Sequence, residues 1–279
     1  QGESGGLFSV SGRGRQIGTS TRSVKIIING QAITSGYVGS SIGSITTIPM
    51  DNVSKVEFIR GPGSVVYGSG ALMGIVNVET YQQQNFAQLS FGNHDYASSV
   101  VNYYRQGLQF SAIFRGDLGE RYSLKNVDTG NRVSAKDPYS ESHFYLTKST
   151  QKSRLLLHHH RNISSGFYSL DRVDNDLNTS DRQYTMASYN HRFSLNDYFD
   201  ISSSIFLNVR RNQFSARLSA PGAVASISNP SSSAAIEAIG ITRSKQYGAK
   251  LVADWIFIDG HLSVGGEYLY SDPVSGLAF

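Results

Sequence analysis

A chain of 279 residues has room for one large domain or two ordinary ones. Its formal charge of +4, from 25 Lys+Arg against 21 Asp+Glu, is too even and too scattered for a nucleic-acid footprint. With 16 Tyr, 14 Phe, 28 Gly, one Trp and no Cys, the composition suits an all-β chain rich in turns. It excludes a disulfide framework or a thiolate site.

No run of about 18 apolar residues is present, which excludes a transmembrane helix. It does not exclude a membrane barrel, whose strands alternate between lipid and lumen and average to near-neutral hydropathy. The opening Gln1-Gly2-Glu3-Ser4 lacks the basic-then-apolar order of a signal peptide, so the start reads as processed or truncated.

Up to Tyr81 the chain consists of short β-branched runs separated by Gly and Pro. Ser23–Ile28 ends at the turn dipeptide Asn29-Gly30. Val53–Ile59 ends at Gly61-Pro62-Gly63, and Gly74–Val78 follows a second Gly-rich stretch. These runs predict a small mixed sheet. Asp51 and Asn52 can cap a short turn after Pro49. Glu57 and Arg60, three apart on a strand, fall on opposite faces, and an enclosed charge needs a partner.

Two chemical motifs fail in this region. Gly61–Gly70 lacks the Gly-Lys-Ser/Thr ending of a phosphate loop. Gly39-Ser40-Ser41-Ile42-Gly43 fits the nucleophile-elbow spacing around Ser41, but no helix-forming stretch follows it.

The segment Ile48–Thr80, IPMDNVSKVEFIRGPGSVVYGSGALMGIVNVET, resembles the C-terminal signature of the plug domain in TonB-dependent outer-membrane receptors. It carries Ile-Pro, a capping turn, a Val-Glu-Phe-Ile strand, Arg-Gly-Pro, Tyr-Gly, a small-residue run and Gly-Ile-Val-Asn. Phe8–Gly14 and Val24–Gly30 resemble the paired strand elements that precede it. Two positions depart from the family pattern. Ser11 stands where the family has Arg, which leaves Arg13 or Arg15 to replace it or a weaker lock. Asn29 stands where the family has Asp, a swap that keeps turn chemistry, since both tolerate left-handed backbone.

Beyond Tyr81 longer runs alternate with period two. Leu108, Phe110, Ala112 and Phe114 alternate with Gln109, Ser111, Ile113 and Arg115. Tyr247, Ala249, Leu251, Ala253 and Trp255 alternate with Gly248, Lys250, Val252 and Asp254, and Tyr268 and Tyr270 alternate with Glu267 and Ser271. Arg115, Lys250, Asp254 and Glu267 are therefore expected on the lumen side, with Leu108, Phe110, Leu251, Trp255 and Tyr268 in lipid. Short links near 105–107, 150–152, 194–197 and 258–261 alternate with long polar links at 117–141, 162–182 and 214–244. After a short first link at 92–95, that puts tight turns on one rim and long loops on the other. The period-two template yields roughly nine strands. His158, His159 and His160 lie on one of them, so at most two share a face, and they read as a polar segment near a rim.

The fold expected is thus all-β dominated. The C-terminal part of a plug (residues 1–80) is followed by the N-terminal strands of an antiparallel transmembrane β-barrel (81–279), incomplete beside the about 22 strands of plugged transporters. The resemblance implies a bacterial outer-membrane protein that is not an enzyme. It implies active uptake of a bulky ligand driven by the inner-membrane TonB complex, with the TonB box outside this chain. The Arg-Gly-Pro form resembles the siderophore, haem and cobalamin branch, with a ferric siderophore ranked first, then haem, then cobalamin. A passive porin or barrel adhesin is the alternative from another class. The implied plug–barrel lock involves Glu57 and Arg60. Ligand contacts are expected from plug loops carrying Arg13, Arg15, Arg22 and Tyr37, with the loop at 214–244. No cofactor, metal site or nucleic acid is expected; the lipid bilayer and an iron chelate are.

Overall fold

The structure is a computed structural model that describes residues 24–33, 48–61, 71, 73–80, 83–125, 131–165, 178–219 and 236–278. A four-stranded sheet comes first, built from β1 (Val24–Ile28), β2 (Gln31–Ala32), β3 (Lys55–Arg60) and β4 (Gly74–Glu79) in the order β2-β1-β4-β3. β1 runs parallel to β4, and the other pairs are antiparallel, so the sheet is mixed as expected.

Asn29 (φ +50) and Gly30 (φ +86) turn β1 into β2. A two-residue hairpin with both central residues at positive φ fits the twist of the strands it joins. Asn29 does more than turn. Its Nδ2 donates to Thr80 Oγ1 (2.7 Å), its Oδ1 accepts from the Thr80 N–H (2.9 Å), and its own N–H donates to Val78 O (2.9 Å). One side chain thereby ties the β1–β2 turn to the end of β4. A carboxylate at this position could accept both Thr80 groups but donate to neither.

The second sheet has nine antiparallel strands in the order β15-β14-β13-β12-β11-β10-β7-β6-β5. They are β5 (Phe86–Phe91), β6 (Ala97–Arg105), β7 (Leu108–Asp117), β10 (Tyr139–Ser149), β11 (Ser153–Ser165), β12 (Thr179–Asn196), β13 (Phe199–Ser219), β14 (Ile236–Phe257) and β15 (Gly260–Ala278). β8 (Arg121–Lys125) and β9 (Arg132–Lys136) form a separate hairpin inside the long β7–β10 link. Among the described residues the large sheet is open, with β5 and β15 at its two edges.

The tight turns fall where the sequence placed them, at 106–107, 150–152, 197–198 and 258–259. The long link at 214–244 is shorter than expected. β13 continues to Ser219 and β14 begins at Ile236, pairing through Ser219↔Ile236. At 21 and 22 residues these strands exceed the about 9–11 residues that cross a bilayer. Beyond the lipid both faces meet water, so polar residues appear on both and the alternation that marks a strand fades.

Alternation within the spanning part separates the two faces of the large sheet. Tyr247, Leu251 and Trp255 are 47%, 56% and 53% exposed on one face of β14, while Ser244 and Gln246 are buried on the other. Lys250 pairs directly with Glu267 across β14–β15, and both act electrostatically on Lys25 of the small sheet. Leu108, Phe110 and Phe114 are exposed while Gln109, Ser111 and Ile113 are buried. The predicted face assignment therefore holds at these positions.

Ile205 lies on the apolar outer face of β13 and Ser204 on the inner face, in register with Lys250. Ile205→Lys should lower the unfolding free energy of the full-length receptor in bilayers by about 2–4 kcal/mol. Ser204→Glu, beside Lys250, should cost far less. Equal costs in a reversible denaturant titration would contradict the assignment of faces.

Candidate functional site

The small sheet rests on the polar face of the large one, and the interface between them is the site. Its apolar part joins Ile28, Ile33 and Val78 of the small sheet to Leu156 of β11 and Tyr184 and Met186 of β12. All six are 4% exposed or less. Filling such positions stabilises by about 1.5–3 kcal/mol per large side chain. The polar part surrounds this patch. Gln109 Nε2 donates to Asn102 Oδ1 (2.9 Å) on β6 and to Thr80 O (3.2 Å), and lies 3.4 Å from Asn52 Oδ1.

A charged bridge crosses the same interface. Arg115 of β7 donates through Nε to Glu141 on β10, and its Nη1 lies 3.4 Å from Asp51 Oδ2 in the small sheet. Register explains half of this, since Arg115 and Glu141 face each other across β7–β10. The side chains of Arg115, Asp51 and Glu141 are 24%, 29% and 6% exposed. Asp51 and Asn52 sit in a single 3-10 turn, Met50–Asn52, with no side-chain cap hydrogen bond. The capping role expected for them is replaced by contacts to the wall.

Glu57 is engaged inside the small sheet. It pairs with Lys55 (2.5 Å) and accepts from Asn77 Nδ2 (2.9 Å), its direct cross-strand neighbour. Hydrogen bonds from Lys55 and then Asn77 hold its carboxyl below the usual range. Arg60 is exposed at the end of β3. Among the described residues neither meets the large sheet, and the ion pair that does is Asp51–Arg115. The expected ligand residues Arg13, Arg15, Arg22 and Tyr37 lie outside the described residues, as does Ser41.

The histidine run divides as strand parity demands. His159 faces outward beside Thr185 Oγ1 (2.8 Å). His158 and His160 face inward at 1% and 0% exposure, buried and not on a solvated rim. On β10 the same parity turns Glu141, His143 and Tyr145 inward, with His143 directly opposite His160 and Tyr145 opposite His158. Tyr145 stacks on His158 with ring centroids 4.0 Å apart. His143 and Glu141 were not singled out from sequence. The available signal was Glu-x-His on one strand and His-x-His on the next, two period-two patterns on one face.

A small mixed sheet seated on the polar face of a strand wall, whose opposite face is apolar and exposed, defines a plug within a membrane barrel. Residues 1–75 match the family described as TonB-dependent Receptor Plug Domain. Over 155 residues the chain is 28% identical to the vitamin B12 transporter BtuB of Vibrio vulnificus (strain YJ016), covering 53% of this chain and 23% of that protein. In fold it is similar to the copper transporter OprC (TM-score 0.57, 16% identity, 92% of this chain and 40% of that one). It is also similar to the siderophore receptor PiuA from Acinetobacter baumannii (TM-score 0.55, 14% identity, 91% and 39%). The chain thus spans about a quarter of the length of this curated relative and about two fifths of these solved structures. Residues 1–75 therefore match a TonB-dependent receptor plug, and the chain as a whole has the fold of a plug followed by barrel strands.

Arg115→Ala removes the one cation between two acids and leaves Glu141 buried without it. The expected loss is about 3 kcal/mol in unfolding free energy. In a double-mutant cycle with Asp51→Asn the two changes should be non-additive, since they remove the same contact. Strict additivity would show that Asp51 and Arg115 do not interact.

Proposed function

We propose that this chain is the plug and first barrel strands of a receptor that imports a ferric siderophore or similar iron chelate across the outer membrane, energised by the TonB complex. The observation that carries this is the filled lumen face. Gln109, Ser111, His143, His158 and His160 on the inner face are buried at 1% exposure or less, which suits a gate that moves and not an open pore. A passive porin needs a water-filled lumen, and an adhesin has no need of a plug. The division at residue 80, with the plug before it and the barrel after it, follows the break between the two sheets.

The ligand is assigned to plug loops through Arg13, Arg15, Arg22 and Tyr37. Guanidinium groups attract an anionic chelate and form bidentate contacts to its oxygens, and Tyr37 offers an aromatic face with a polar tip. Haem ranks second and cobalamin third. The inward histidines do not raise haem, since each is sealed at 1% exposure or less. Glu57 and Arg60 are proposed to lock the plug to wall strands of the longer receptor. β3 is an edge strand of the plug sheet, and Phe58 on it is 74% exposed.

In cells bearing the full-length receptor, uptake of radiolabelled ferric siderophore should stop when a protonophore collapses the proton gradient, while binding at the surface persists. Arg13→Ala with Arg15→Ala should weaken chelate binding and flatten its salt dependence. Uptake that survives the protonophore would return the protein to the porin class. Unchanged affinity and salt dependence in a folded double variant would move the ligand site elsewhere.

A further inference from the structure

We propose that Glu141, His143 and His160 form a binding site for one divalent transition-metal ion, Zn2+ in the first instance, on the barrel wall beneath the plug. The inference is independent of which ligand the receptor imports.

Strand register builds the site. His143 and His160 face each other directly across β10–β11, with ring centroids 4.4 Å apart and planes inclined by 32°. Glu141 lies two residues before His143, and so on the same face. Its Oε1 is 3.6 Å from His143 Nε2, which is too far for a hydrogen bond. One ligand atom from each of the three residues lies within 4.8 Å of the others. Small side-chain rotations would bring such atoms onto one ion at the about 2.0–2.2 Å of Zn–N and Zn–O bonds.

Burial supplies a second, independent observation. His143 and His160 are 0% exposed, and among the described residues no group hydrogen-bonds any of their four ring nitrogens. Buried polar atoms are paired as a rule, and each exception calls for a cause such as an ion. A neutral imidazole offers a lone pair to a metal, so binding an ion satisfies one nitrogen of each ring.

The donor set selects the ion. Two imidazoles and one carboxylate suit Zn2+ with an open fourth position, whereas Ca2+ and Mg2+ take oxygen ligands. Arg115 donates to Glu141 Oε1, which orients the carboxylate toward His143. Such outer partners fix ligands in place. Because Arg115 also reaches Asp51, ion binding would be felt at the plug.

The test uses the full-length receptor purified in detergent and stripped with chelator. Titration with ZnCl2 by calorimetry should show one site per chain, and Co2+ loading should give the visible spectrum of a nitrogen-ligated ion. His143→Gln and His160→Gln, each checked for native β circular dichroism, should weaken Zn2+ at least about tenfold. Zn2+ should raise the thermal midpoint of the wild type but not of these variants. The proposal is overturned if the stripped wild type takes up no ion, or if both variants bind Zn2+ as the wild type does.

Discussion

Each spanning strand must satisfy two environments at once, and strand parity is the only device it has for doing so. Residues alternate between faces, so the outward positions can be apolar only if the inward ones take the polar load. Inward residues such as Gln109, His143 and Gln246 are then buried, not solvated. A buried polar group without a partner costs about 1–3 kcal/mol. Where the plug meets Gln109 and Arg115 it presents matching acceptors, from Asn52, Asp51 and the carbonyl of Thr80. The wall cannot be understood without the plug, nor the plug turn without the wall.

The same constraint shapes how firmly the small sheet is held on the wall. An all-apolar interface would hold the plug by area alone and would resist displacement. Here one compact apolar patch, centred on Ile28, Ile33, Leu156 and Met186, is joined by hydrogen bonds and one charged bridge. Polar contacts exchange readily for water once it enters, because each is worth only about 0.5–1.5 kcal/mol net. The patch sets the resting position and the polar surround allows it to be left.

What was legible in the sequence followed from local rules. Asn29-Gly30 marked a hairpin, and period-two runs marked faces, because turn geometry and pleat act over a few residues. Two things were not legible. The β13–β14 hairpin runs past the lipid, where Ser215 and Gln213 no longer alternate against an apolar face. The charged contact of Asp51 to Arg115 is the second, separate from the Glu57 and Arg60 lock that the family resemblance implies. Asp51, which read as a turn cap, reaches Arg115 from 64 positions away in sequence. Partners that distant depend on how two sheets seat, which no local pattern reports. The histidines stand between these cases. Their parity was visible on β11, but the pairing of β11 with β10 brought His143 and Glu141 beside them.

Under the proposed import function, the plug sheet that rests on this wall must leave it for transport to occur. This is tested most directly by tethering Asn52→Cys to Gln109→Cys in the full-length receptor with a short, reducible thiol linker, then measuring chelate binding and uptake before and after reduction. The account predicts efficient tethering, intact binding, blocked uptake, and recovery of uptake on reduction. Full uptake through a quantitatively tethered receptor, or failure of the two cysteines to be bridged in a folded protein, would contradict it.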